Sequence, residues 1–187
     1  IYYMPIGKMS YKNKEETFQR YIPYIKKLLS KYSDKKGIIH TNSFELADWI
    51  KKSIKDKRLI FHDSSNKDEM LKMHIETKEP TVLVSPSMGV GISLDDDLSR
   101  FQIIAKVPYP SLNSQKNKVR MSNNPEWYSY KTCSSIQQMC GRSVRGKEDF
   151  ADTIIIDGSF GDVMKHSSHF LPEWFQESIN KVNVKVG

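Results

Sequence analysis

Thr81-Val82-Leu83-Val84-Ser85-Pro86-Ser87-Met88-Gly89-Val90-Gly91-Ile92-Ser93-Leu94 is an apolar run that breaks at once into proline, serine and glycine. A short, continuous, β-branched stretch of this kind predicts a strand buried on both faces. From Ser85 to Leu94 there are two glycines and three serines. Such a segment is either an ordinary turn or a place where backbone N–H groups and hydroxyls meet phosphate or ribose.

The same texture recurs along the chain. Gly37-Ile38-Ile39-His40, Leu59-Ile60-Phe61, Phe101-Gln102-Ile103-Ile104-Ala105-Lys106-Val107 and Thr153-Ile154-Ile155-Ile156-Asp157 all read as strands. Between them apolar residues return at helical spacing, as in Phe18, Ile22, Ile25 and Leu29 over residues 14–32, where Pro23 predicts a kink or a later start. Asn42 or Ser43 is placed to cap the helix after the first strand, with Glu45 completing a capping box. Strands alternating with helices predict an α/β domain of three layers, a mainly parallel sheet covered by helices on both faces. Ligands are then expected beyond the carboxyl ends of the strands. Residues 1–12 show no periodicity and are expected to connect to an upstream domain, leaving 13–187 as the folded unit.

The chain of 187 residues is long enough for a real core, and its net charge of +7 favours polyanionic partners. No apolar run approaches the ~18 residues that span a bilayer, so no membrane association is expected. Cys133 and Cys140 lack the further Cys and His of a metal site and read as reduced core residues of an intracellular protein.

Gln138-Met139-Cys140-Gly141-Arg142-Ser143-Val144-Arg145 carries the chemistry. At about 100° per residue, a helix over residues 132–145 would gather Gln138, Arg142 and Arg145 on a stripe roughly 60° wide. Cys133, Ile136, Cys140 and Val144 would form the opposite, apolar face. Two guanidiniums and an amide beside the slim Gly141 suit a polyphosphate and its developing charge. A solvated basic face is the plainer alternative.

Q-x-x-G-R-x-x-R resembles motif VI of the superfamily 2 helicases. The resemblance implies a second, C-terminal RecA-like (P-loop NTPase-like) domain in which Arg145 is the arginine finger, assisted by Arg142 and Gln138, with Gly141 at the nucleotide. Gly89-Val90-Gly91 and its surroundings resemble motif V. The run from Gly91 through Leu98, Phe101-Gln102-Ile103-Ile104 and Pro108-Tyr109-Pro110 resembles the DinG/XPD-like branch. On that alignment Gly91 and Ser93 face the nucleotide, Ser93 standing where the branch has an aspartate. His40-Thr41-Asn42-Ser43 resembles motif IV, so His40, Thr41, Asn42, Ser43, Ser85 and Ser87 are the implied contacts to single-stranded DNA. Asn113 to Arg120 and Trp127, Tyr128 and Tyr130 either follow a nucleic acid or pin a long connection. Asp95-Asp96-Asp97 reads as a solvated turn rather than a metal site.

No G-x-x-x-x-G-K-[ST] loop and no Asp-Glu-x-His box occurs in these residues. The resemblance therefore implies an ATP-dependent DNA helicase whose ATP and Mg²⁺ are held largely by a missing N-terminal RecA-like domain. This fragment alone is expected to be inactive, monomeric and without cofactor. The alternative is a non-catalytic nucleic-acid-binding module of the same fold.

Overall fold

The computed structural model describes residues 1–87, 94, 96–144 and 149–184. Seven strands form one sheet in the order β3-β4-β2-β5-β6-β1-β7. They are β1 (Tyr2–Gly7), β2 (Gly37–His40), β3 (Leu59–Phe61), β4 (Val82–Ser85), β5 (Phe101–Ile104), β6 (Asp152–Asp157) and β7 (Asn180–Lys181), and every pairing is parallel. The helices are α1 (Lys14–Lys31), α2 (Phe44–Ser53), α3 (Lys67–Glu76), α4 (Gln115–Asn123), α5 (Pro125–Cys140), α6 (Ser159–Ser167) and α7 (Glu173–Glu177).

Alternation along the strands sorts the core into two layers. Ile39, Val82, Val84, Phe101, Ile103, Ile154 and Ile156 face α1 and α2, meeting Tyr21, Ile25, Leu29 and Ile50. Their neighbours Ile104 and Ile155 face α5, α6 and α7, meeting Ile136, Met139, Phe160 and Phe175. Ile38, Ile60 and Leu83 pack with Leu94 and with Met70 and Leu71 of α3. The expected three-layer α/β architecture is therefore the one the chain adopts. Gly37 is forced by packing, since a Cβ there would lie 2.4 Å from the Phe101 ring.

Two segments depart from expectation, and in a third one of two alternatives drops out. Tyr2–Gly7 is a strand between β6 and β7, not a connecting segment. Its Pro5 masks the strand pattern, because a proline cannot donate to a ladder. The pairing with β6 shifts register between Tyr3 and Gly7, a break in the ladder where the missing donor is tolerated. Helix α1 starts at Lys14 and runs through Pro23 to Lys31, which excludes the later start that Pro23 allowed. Helix α5 begins at Pro125, seven residues before the expected 132, because Asn124 caps it by accepting the Trp127 N–H at 3.1 Å with proline in the first turn.

Candidate functional site

The strands' carboxyl ends are held together by one side chain that the sequence reading passed over. Asp157 closes β6 and is 1% exposed. Its Oδ1 accepts the N–H groups of Met9 at 3.0 Å and Ser159 at 2.9 Å, and its Oδ2 accepts Val107 N–H at 2.8 Å. One carboxylate thus fixes the chain as it leaves β1, β5 and β6.

At β2 the chain turns sharply. Asn42 has a φ of 47°, a left-handed conformation that asparagine tolerates. Its Nδ2 donates to the Lys106 carbonyl at 2.6 Å, crossing from β2 to the segment after β5. Ser43, not Asn42, caps α2, accepting Leu46 N–H at 3.3 Å. Glu45 does not close a capping box; it pairs with Lys14 at 2.6 Å. Between these segments opens a cleft of about 370 Å³ lined by Ser43, Lys14, Lys106, Trp49 and Asn113 among others.

Of the implied DNA contacts, Asn42 and Ser43 are half-buried and Ser87 is exposed. His40, Thr41 and Ser85 face inward instead, at 2, 0 and 4% exposure. A parallel strand's last residues are still paired on both sides, and these three side chains complete that pairing. Thr41 N–H donates to Ser85 O at 2.9 Å, and Thr41 Oγ1 lies within hydrogen-bonding distance of Ser43 O and Ser85 O. The Ser85 hydroxyl donates to Ser87 O at 2.8 Å.

His40 belongs to a buried chain of polar groups centred on Gln102, a second residue the sequence reading did not single out. Gln102 is fully buried in β5. Its Oε1 lies 3.2 Å from His40 Nε2, so the imidazole is the donor. Its Nε2 donates to Thr153 Oγ1 at 2.7 Å and to the Cys140 carbonyl at 2.9 Å. Burial, with the nearby positive charge of Arg142, lowers the His40 pKa to about 4 against a weaker opposing effect of Gln102. The legible signal was a polar residue inside an apolar strand, which must find partners when buried.

The Gln102 amide also accounts for the end of α5. The helix stops at Cys140, so Arg142 occupies a turn and does not extend a helical stripe shared with Gln138. Cys140 O is taken by Gln102, Arg142 O accepts Leu94 N–H at 3.3 Å, and the Ser143 hydroxyl donates to Ser99 Oγ at 2.8 Å. These contacts draw the chain off the helix axis. The apolar face accordingly consists of Cys133, Ile136 and Met139, while Val144 is 37% exposed. Gln138 and Gly141 are exposed and Arg142 is half-buried, its pKa lowered by burial. Among the described residues, a Cβ at Gly141 would meet nothing closer than 3.5 Å, so packing among them does not require glycine there.

This turn lies against residues 99–102, where β5 begins. Of the implied nucleotide residues that are described, Arg142 lies near enough to His40, at the end of β2, for its charge to act on that imidazole, and Gln102 links the two neighbourhoods. Gly91, Ser93 and Arg145 lie outside the described residues.

The aromatic stretch answers one open choice. Tyr128 stacks on Tyr109 at 5.8 Å, Tyr130 meets Phe170 edge-on, and the Arg120 guanidinium sits over Trp127. These rings pin α4 and α5 to the domain. Asp96 and Asp97 lie in a short exposed turn, and among the described residues no cluster of three or more His, Cys, Asp or Glu is arranged to hold a metal. No helix among them is long and apolar enough to cross a membrane.

Residues 25–178 match the helicase C-terminal domain family. The ATP-dependent DNA helicase CHL1 of Eremothecium gossypii is 22% identical over 180 residues, covering 78% of this chain and 22% of that protein. The regulator of telomere elongation helicase 1 homolog of Caenorhabditis briggsae is 24% identical over 107 residues, 49% of this chain and 10% of that one. The chain therefore spans only 10 to 22% of the length of these curated relatives. Among solved structures, Xpd4 of S. tokodaii superposes with a TM-score of 0.69 at 16% identity, covering 97% of this chain and 38% of that one. The fold is the RecA-like one that the resemblance implied.

Proposed function

From the helicase C-terminal domain family, to which this chain belongs, we propose that it is the second motor domain of an ATP-dependent DNA helicase, of the DinG/XPD-like kind, acting inside the cell. Its ATP site is shared with a preceding RecA-like domain of the same protein, which holds Mg²⁺ and the β- and γ-phosphates. The reading is carried by the Gly141–Arg142–Ser143 turn: three polar contacts fix it from within, while its glycine is exposed and none of the described residues packs closely enough to require glycine. A phosphate or a partner backbone approaching there supplies that reason.

Bound ATP supplies a phosphoryl group whose transfer to water develops charge on its oxygens. Arg142, partly withdrawn from water, offers its charge where the local dielectric strengthens it. Arg145 supplies the finger and Gln138 links the nucleotide to the domain boundary. Asn42, Ser43 and Ser87 contact the sugar-phosphate backbone of a single strand near the cleft that Lys14 and Lys106 line. His40, Thr41 and Ser85 support that surface from beneath.

The test is Arg145→Ala in the full-length protein. DNA-stimulated ATPase falls by about 10³-fold or more while single-stranded DNA binding is retained. Wild-type turnover in that variant would remove the finger assignment, and loss of DNA binding with intact turnover would reverse the two roles.

A further inference from the structure

Arg100 stands immediately before β5, and its side chain is 15% exposed. Its Nε donates to Asp97 Oδ1 at 2.8 Å. Its Nη1 donates to Asp149 Oδ1 at 2.8 Å and to the Phe150 carbonyl at 3.1 Å, and its guanidinium lies 4.5 Å from the centre of the Phe150 ring. Asp149 is the more enclosed partner, with 4% of its side chain exposed. Its other oxygen accepts the Asp96 N–H at 3.4 Å. Burial works against the Arg100 charge, but the carboxylates of Asp97 and Asp149 outweigh it and raise its pKa.

These contacts join two stretches that are far apart in the sequence. One follows β4 and ends in the turn Asp96–Leu98. The other leaves α5 through Arg142 and Ser143 and returns at Asp149 to enter β6. Leu94 N–H to Arg142 O ties them at one point, Ser143 to Ser99 at a second, and Arg100 with Asp149 at a third. Arg100 O also accepts Asp152 N–H at 3.0 Å, so backbone and side chain of one residue both hold the return. Exposed ion pairs hold little; a guanidinium clamped between a buried carboxylate and an aromatic face holds geometry.

We propose that Arg100 is a positioning residue that locks the stretch after β4 to the stretch after α5, so that the groups on both, Arg142 among them, are set as one unit. The role rests on the proposed ATP site for its effect on turnover, but the lock is a property of the chain itself.

Arg100→Met, Arg100→Lys, Asp149→Asn and the Arg100→Met/Asp149→Asn pair in the full-length protein test it by two readouts. In DNA-stimulated ATPase, Arg100→Met and Asp149→Asn each lower kcat by about 10²-fold, the scale of a small misplacement at a reacting centre, with KM for ATP moved less than about threefold. Arg100→Lys recovers part of the loss, and the double variant is no worse than the poorer single. Losses that multiply, or that fall on KM alone, would overturn the proposal. Independently of turnover, Asp149→Asn speeds amide exchange at Leu94 and across residues 96–99, and leaves β2 unchanged. Unchanged exchange there overturns the lock even if turnover falls. A wild-type protein without ATPase would sink the helicase reading while the exchange result still decides the lock.

Discussion

Replacing Asp157 by asparagine keeps shape and volume but reverses the polarity of one end of the side chain. The asparagine oxygen still accepts from Met9 and Ser159, whose N–H groups both point at Oδ1. The amide nitrogen then faces the Val107 N–H, donor against donor, where Oδ2 had accepted at 2.8 Å. Bonds to a charged acceptor contribute about 1.5–3 kcal/mol and neutral ones about 0.5–1.5, so weakening two costs about 2 kcal/mol in all. Stranding a buried N–H adds about 2 kcal/mol more. Relief from burying a charge offsets part of this, leaving a net loss of about 2–3 kcal/mol. With a urea m-value of about 2–3 kcal/mol/M, the unfolding midpoint falls by about 1 M at unchanged m. Asp157→Ala, which strands all three N–H groups, falls further. Asp162→Asn is the control: its carboxylate is 49% exposed in a pair with Lys8, and its loss moves the midpoint little. An Asp157→Asn midpoint within about 0.2 M of wild type, well inside the shift expected from that m-value, would refute the claim that this carboxylate organises the carboxyl ends.

Two further outcomes follow from the same geometry. Burial holds the folded His40 pKa at about 4 against an ordinary 6.5; the unfolded chain therefore binds the extra proton between those values, and stability falls as pH drops through that window and is fully present above it. The penalty is about 2 kcal/mol at pH 5, read as the difference in urea midpoint between pH 5 and 7.5 that His40→Gln removes; an identical slope in that variant rejects the assignment. Gly141→Ala leaves stability unchanged or raises it by about 0.5 kcal/mol, since its φ of −78° suits any residue and a Cβ has room. In the full-length protein the same change lowers ATPase, and a variant with intact turnover would mean that nothing approaches Gly141.

Strands β2, β3, β4, β5 and β6 were legible because a parallel sheet buried on both faces needs continuous apolar runs, and nothing else in the chain has that texture. The site was legible only as composition. Gln138, Gly141 and Arg142 stood out as residue types, yet their arrangement depended on where α5 ends. That is settled by the Gln102 amide reaching from the sheet, a contact between residues 38 apart. Strand β1 was hidden by Pro5, whose cost vanishes only at a break in the ladder with β6. His40, Thr41 and Ser85 looked like ligands because small polar residues at a strand's end serve equally to bind or to close the sheet. Local sequence holds both uses, and only the neighbours on either side choose between them.

By itself, then, the sequence determined the periodicities, hence the layers, and the residue types that can meet a polyphosphate. The tertiary structure alone decided which polar groups turn inward. Pairing across the sheet joins residues as remote as Asp157 and Met9, or Arg100 and Asp149. A buried hydrogen bond is specified by geometry in three dimensions, and no window of neighbouring residues contains both of its ends.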